Sequence, residues 1–309
     1  MTLTVRDFRP ADAKAVADLR RACAPYLLGT PQGVAWEVST ACAAQRLRLF
    51  VAELDGRIVG SVRAALLPGG VLPGRAAATP YVHPGHRRRG AGRALLTAAE
   101  EHLAAAGADR LFARAADEPG AHSFARRHGY HRTRPARRLR LDLAATEPPP
   151  LPSALPAGVR LLTGADLEAD PRPLYAAYAE AGADEPDDSA SGTPAYEDWL
   201  RRTWEHPHID LDLTSVVTVD GEIASFSLAA TDDLGRCASA RTGTRPAFRG
   251  RGLARLAKAA CLHRARDHGC TEAFTVNDAA DTPMLTINRR LGYRPFAEEW
   301  RYVREVWRG

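Results

Sequence analysis

The sequence predicts an α+β fold made twice, two tandem copies of a mixed sheet flanked by helices, and three observations carry that expectation. The first is an internal repeat. Asp55-Gly56 recurs as Asp220-Gly221, Arg87-x-x-Gly90-x-Gly92 as Arg249-x-x-Gly252-x-Ala254, and His128-Gly129-Tyr130 as Leu291-Gly292-Tyr293, at offsets of 165, 162 and 163 residues. The second is the Asp-Gly pair itself, flanked in each copy by apolar or alternating runs, which is the strongest short signal for a hairpin. The third is the order strand, glycine turn, long helix, short strand, a crossover added to those antiparallel hairpins.

Element by element, the first copy opens with a strand over 3–8 and a helix over 13–24, with Asp12 as its N-cap. A second helix is expected over 34–46, then strands over 48–54 and 58–67 on either side of Asp55-Gly56, and a strand over 76–82. The long helix over 90–106 ends at Gly107, the residue type favoured just past a helix C-terminus. A strand over 110–114, a helix over 120–128 closed by Gly129 and a last strand over 137–143 complete the copy. The second copy repeats the order over 159–162, 214–219, 223–230, 237–244, 252–268, 272–276, 282–291 and 301–306. Between them TEPPPLPSALPAG is too rich in proline for helix or central strand and reads as a semi-rigid linker. The expected division is therefore a domain over 1–146, a linker over 147–157 and a domain over 158–309. A doubly wound dinucleotide domain fits poorly, because the glycine turn follows the third or fourth strand rather than the first.

Composition narrows the function. With 309 residues, 45% hydrophobic and 26% charged, the chain is globular rather than disordered. The first ten residues carry Arg6, Asp7 and Arg9 where a signal peptide needs an apolar stretch, and no segment reaches the ~18 apolar residues of a spanning helix. A cytoplasmic location without membrane contact is expected. Five scattered cysteines with no C-x-x-C pair suit a reducing compartment and argue against a metal site. The net charge of +5 divides unevenly: residues 1–150 carry 23 Lys and Arg against 13 Asp and Glu, and residues 151–309 carry 19 against 24. A basic half can mean an anionic cofactor, an acidic partner surface or nucleic acid. Lysine occurs only at Lys14 and Lys258, so the positive charge reflects an arginine-biased composition more than a nucleic-acid interface, which is not expected. The opposite signs of the halves suit docking of one copy on the other.

The arginine-glycine turn holds the chemistry. At a strand-to-helix junction, backbone N–H groups are free, the helix dipole adds partial positive charge, and glycines let a phosphate approach. Arginines add charge-assisted bonds suited to phosphate. Val82 with Arg87, Arg88, Arg89, Gly90, Ala91, Gly92 and Arg93 in the first copy, and Thr244 with Arg249, Gly250, Arg251, Gly252, Leu253 and Ala254 in the second, are thus candidates for pyrophosphate binding.

Both halves resemble GNAT-superfamily N-acetyltransferases, whose pyrophosphate motif Q/R-x-x-G-x-G/A is matched in full at Arg87 and at Arg249. The resemblance covers nearly the whole chain outside the linker. It implies acetyl-CoA, or another acyl-CoA, as co-substrate and a small-molecule amine as acceptor. The backbone of Val82 and Thr244 would pair with the pantetheine arm, and the loop amides through Arg93 and Arg255 would hold the pyrophosphate. An acyl carrier protein as donor and a homodimer stay open alternatives. The second copy also matches the run N-x-x-x-N-x-x-M…N-x-x-L-G-F at Asn277, Met284, Asn288 and Tyr293, with Asp281 where a second Asn is usual; the first copy has no amides there. Asn277, Asn288 and Tyr293 are accordingly the expected catalytic residues, and the second copy the expected catalytic one.

Acid and base are harder to place. Attack by an amine on a thioester needs a neutral nucleophile and is helped by an acid near the departing thiolate. The tyrosine that the family often supplies for this falls at Ala125 and Asn288, and neither strand before the glycine turn carries a carboxylate. Direct attack with a water relay is the expected mechanism. Remaining acids and phenols in the second copy are Glu222, Asp232, Asp233, Glu298, Glu299 and Tyr302. Asp184, Glu185, Asp187 and Asp188 would form an acidic lid attractive to a cationic amine, near Tyr175, Tyr178, Tyr196, Trp199 and Trp204. The alternatives are catalysis in the first copy and a non-enzymatic acyl-CoA-binding protein.

Overall fold

In the computed structural model, residues 2–67, 73–183, 193–232 and 234–305 are described, and they form two compact units. The acidic lid and Asp233 lie outside the described residues.

The first unit runs through β1 (Leu3–Asp7), α1 (Ala13–Cys23), α2 (Pro31–Ser39), β2 (Arg48–Leu54), β3 (Arg57–Leu66), β4 (Arg75–Val82), α3 (Ala91–Ala105), β5 (Arg110–Ala116) and α4 (Pro119–Arg127). Antiparallel pairing joins β1 to β2, β2 to β3 and β3 to β4. Asp55 and Gly56 turn the β2–β3 hairpin with φ of +49° and +79°, the left-handed pair that matches strand twist. Alternation along β2 decides the layers. Phe50, Ala52 and Leu54 join Leu95, Leu96, Ala99 and Leu103 of α3 in one core, while Leu49 and Val51 meet Val16, Ala17 and Val34 of α1 and α2 on the opposite face. The helix expected over 34–46 is shorter: Thr30 caps α2 by accepting the Gly33 N–H, and Arg46 takes a left-handed φ of +44° before β2 begins.

The second unit repeats this with β7 (Val159–Thr163), α5 (Arg172–Gly182), α6 (Tyr196–Trp199) continued by a π-helical turn over Leu200–Trp204, β8 (Ile209–Val219), β9 (Glu222–Thr231), β10 (Arg236–Thr244), α7 (Leu253–Asp267), β11 (Glu272–Asp278) and α8 (Thr282–Arg290). Alternation along β8 again serves two faces: Val217 and Val219 pack on Leu253 and Ala257 of α7, and Val216 joins Leu174, Trp199, Trp204 and Phe226. Residues 143–158 carry neither helix nor strand.

The final strands depart from the expected division. After α4 comes β6 (His131–Asp142), whose residues from 137 onward belong to the second unit, where Leu139 and Leu141 pack with Leu285, Leu291 and Tyr293 and the strand neighbours β11. After α8 comes β12 (Arg294–Glu305), whose residues 298–305 belong to the first unit and pair antiparallel with β5, from Glu299 opposite Ala116 to Glu305 opposite Arg110. Each copy's expected closing strand thus lies in the other copy's unit. The open edges of β5 and β11 need a partner to satisfy their backbone groups, and an alternating strand satisfies either edge equally well, so local pattern does not choose between them.

Candidate functional site

Each unit opens where two parallel strands part. β4 and β5 are in register only over residues 75–77 and 110–112, and β10 and β11 only over 236–238 and 272–274. Beyond those points the strands diverge. In the first unit the divergence makes a cavity of about 700 Å³. Residues 79–82 of β4 and 113–116 of β5 form its sides, Arg87, Arg88, Gly90, Gly92 and Arg93 one end, and Cys23, Tyr26, Glu299 and Tyr302 complete it.

The turn at that end is built as its residues require. Arg88 has φ of +65° and Gly90 φ of +88°, and Gly90 is the N-cap of α3 without offering a side chain. The first helical bond runs from Ala94 N to Gly90 O (3.1 Å), so the N–H groups of residues 91–93 have no acceptor inside the helix. Among the described residues, a Cβ at Gly90 would meet only Leu3 Cδ2, at 3.5 Å, so they leave the space before the helix open. Arg87 donates through Nε to the Val82 carbonyl (3.4 Å) and pairs with Glu118 (3.2 Å), bracing the turn across the diverging strand. The second unit's turn matches: Gly250 and Gly252 have φ of +76° and +77°, nothing among the described residues lies within 4 Å of a Cβ at Gly252, and Arg249 Nε donates to the Thr244 carbonyl (3.3 Å). Ala91 and Leu253 are buried, so they offer backbone alone, while Arg251 lies 5.7 Å over the Phe248 ring. Open N–H groups, absent Cβ atoms and flanking guanidinium groups fit the diphosphate of an acyl-CoA in both units.

The predicted catalytic residues of the second unit are held by one another. Asn288 Nδ2 donates to Asn277 Oδ1 (2.7 Å), Asn277 Nδ2 lies 3.5 Å from Asp281 Oδ2, and Asp281 Oδ1 accepts the Met284 N–H (3.1 Å) to cap α8. Asn288 is buried, with Oδ1 unpartnered among the described residues. Tyr293 is also buried, which holds its phenol well above the ordinary range. The ammonium of Lys258 lies 5.6 Å from the Tyr293 ring centroid and donates to Ser239 Oγ (2.8 Å) between the parting strands. Burial lowers the Lys258 pKa to about 8. By the repeat offset of 162, Lys258 stands where the first copy has Leu96, a residue of the cavity wall. A smaller cavity in this unit, about 410 Å³, is lined by Tyr178, Arg202, His206 and Arg241 among others, and Arg241 stacks on Tyr178 at 4.2 Å. Trp199 and Trp204 are buried core, and Tyr175 and Tyr196 pack against it.

Of the candidate acids, Glu222 pairs with Arg245 (3.1 Å), and Asp232 forms a buried pair with Arg236. Glu299 lies in a cavity, the first unit's. It is 5% exposed and accepts from Tyr26 Oη (3.2 Å) and Arg114 Nη1 (3.3 Å). Tyr302 is joined to His122 Nδ1, and His122 Nε2 to Asp117 Oδ1 (2.7 Å). No sequence motif marks His122 as functional, because its partner Tyr302 is 180 residues away along the chain.

A family model described as the acetyltransferase (GNAT) family matches residues 13–130 and again 173–293. The chain belongs to the acetyltransferase (GNAT) family. It is an acyltransferase built from two such domains, and members of this family use acetyl-CoA as co-substrate for transfer to an amine. Among curated relatives, a mycothiol acetyltransferase of Clavibacter michiganensis subsp. michiganensis is 30% identical over 83% of this chain and 79% of its own length. Another, from Thermomonospora curvata, is 30% identical over 84% of this chain and 83% of its own. Among solved structures, a tandem GNAT protein from the clavulanic acid biosynthesis pathway superposes with a TM-score of 0.75 at 22% identity, covering all of both chains. A GCN5-related N-acetyltransferase from Sphaerobacter thermophilus gives 0.73 at 22%, over 99% of this chain and 96% of that one. Among the described residues, no helix is long and apolar enough to cross a membrane.

Proposed function

We propose that the protein is an acetyl-CoA-dependent N-acetyltransferase that acylates a primary amine of a small molecule by direct attack in a ternary complex. In this reading the chemistry runs in the first unit's cleft. The observation that carries it is the cavity of about 700 Å³ that joins the glycine-arginine turn to a buried carboxylate, Glu299. A bound acyl-CoA supplies a thioester activated for acyl transfer. The backbone N–H groups of residues 91–93 and the guanidinium groups of Arg88 and Arg93 hold its diphosphate at the mouth. Glu299 attracts the acceptor's ammonium group and receives a proton from the attacking nitrogen. The sequence pattern favours the second copy for catalysis. Against it stand the mutual bonding of Asn277 and Asn288 and the sealing of Tyr293 under Lys258.

Two observations favour the second copy as a further acyl-CoA site: its turn has the same geometry, and Asn288 Oδ1 is unpartnered among the described residues. Release of free thiol from acetyl-CoA, followed with a panel of amines that includes mycothiol-type acceptors, tests the reaction. Gly90→Glu and Gly252→Glu assign the copies, because a carboxylate side chain at either turn occupies and repels the diphosphate position. The proposal expects turnover to be lost with Gly90→Glu and retained with Gly252→Glu; the reverse result moves catalysis to the second copy.

A further inference from the structure

The geometry points to Tyr302, carried by the chain's last strand, as the proton donor of the first unit's cleft, with His122 and Asp117 as positioning groups behind it. This rests on the reading that the chemistry runs in that cleft. The first copy's own helix α4 lines the cavity with Gly120, Ala121, Phe124, Ala125 and Arg127, and just beyond it His128 Nδ1 is bonded to the Phe124 carbonyl (2.8 Å) and Tyr130 donates to Glu100 (3.0 Å), so both are engaged away from a reacting thioester. Tyr302 comes from the opposite end of the sequence. It stands opposite Ala113 on β5, just where β5 leaves β4, and it lines the cavity while 3% exposed. Its phenol oxygen meets His122 Nδ1, and His122 Nε2 meets Asp117 Oδ1 at 2.7 Å. Asp117 is fixed to the same strand, its N–H donating to the Glu298 carbonyl at 2.9 Å. The side chains of His122 and Asp117 are 27% and 45% exposed, so the chain of bonds leads from a covered phenol out to water. Burial also raises the phenol's pKa, which keeps the proton in place until a stronger base forms beside it.

A neutral amine, its ammonium proton already lost to water, attacks the thioester carbonyl; a C–N bond forms and the C–S bond breaks. The departing thiolate takes the phenol proton of Tyr302. His122, oriented by Asp117, passes a proton to the Tyr302 oxygen and takes one from solvent in its place. The surplus proton on the acylated nitrogen goes to Glu299.

Tyr302→Phe preserves the ring and its packing and removes the proton. We expect kcat to fall by about 10²–10⁴-fold, the range for loss of a general acid, with the Kd for acetyl-CoA, measured by calorimetry, within about twofold of the unchanged protein. An aryl thioacetate, whose thiol leaves without protonation, should react equally fast with both proteins. His122→Ala should lose kcat likewise and recover part of it with added imidazole, which a purely structural role does not allow. Independently of turnover, the ring ¹⁵N resonances of His122 should shift in Tyr302→Phe. Unchanged kcat in Tyr302→Phe, equal loss with the aryl thioester, or unmoved His122 resonances would overturn the inference. If Gly90→Glu abolishes turnover while Tyr302→Phe does not, only this inference falls. If Gly252→Glu alone abolishes it, the assignment of the cleft falls first.

Discussion

Lys258 shows how much one residue can change a repeated fold. In the first copy the matching position is Leu96, and a cavity opens beside it; in the second, an ammonium group occupies the same level of the parting strands. Burying that charge is costly, and its pKa of about 8, against 10.5 for an ordinary lysine, expresses the cost. Between pH 8 and 10.5 the unfolded chain binds a proton that the folded chain does not, so stability rises with pH through that window. Lys258→Met should therefore raise stability at pH 7, by up to about 3 kcal/mol, since each tenfold displacement of the proton equilibrium is worth about 1.36 kcal/mol, less the lost bond to Ser239. The gain should vanish by about pH 10.5. Thermal melts of the two proteins from pH 7 to 10.5 check this, and a variant less stable at every pH would sink it. Gly90 makes the opposite point, because its role is legible in the sequence. An L side chain at φ of +88° is strained, so Gly90→Ala should cost about 1–2 kcal/mol and weaken acetyl-CoA binding measured by titration.

At the scale of the element, the hairpins, the crossover helices and both glycine turns were legible in the chain. Asp55-Gly56 and Asp220-Gly221 adopt the left-handed pairs that such turns need, and α3 and α7 start at the glycines that the motif indicated. What local pattern did not supply was the neighbour of a strand. β12 alternates well enough to pair with any open edge, and its pairing with β5 rests on contacts nearly 190 residues apart in sequence. Truncation of the chain after residue 297 should accordingly loosen the first unit, not the second. Hydrogen exchange should show β5 losing protection, because its freed edge amides then face water, while β11, which neighbours β6, keeps it. Loss of protection confined to β11 would contradict the strand assignment.

For the whole molecule, the exchange of strands means that neither half of the sequence corresponds to a complete folding unit. A fragment of residues 1–146 lacks the strand bearing Glu299 and Tyr302, and should express poorly or melt at least 10 °C below the full chain, since several buried pairings are missing. The intact protein should melt in one calorimetric transition; two resolved transitions would argue against shared strands. Two matching turns also predict two acetyl-CoA molecules per chain, reduced to one by Gly252→Glu without loss of turnover, with titration calorimetry as the measure.

From the sequence alone came the duplication, the α+β class, the family and the backbone residues suited to a diphosphate, because each depends on patterns a few residues long: an Asp-Gly pair, a glycine at a helix start, a spacing repeated at 162 to 165. Tertiary structure alone decided the rest. The sequence pattern expects the amides Asn277 and Asn288 to be catalytic, and what the fold adds is that they hydrogen-bond each other. Glu299 and Tyr302 read as the second copy's residues, and folding delivered them to the first copy's cleft beside Tyr26 and His122. The physical reason is the same in each case. A helix or a turn is specified by its own dihedral preferences and caps, whereas a cavity wall is specified by which distant strand satisfies an open edge.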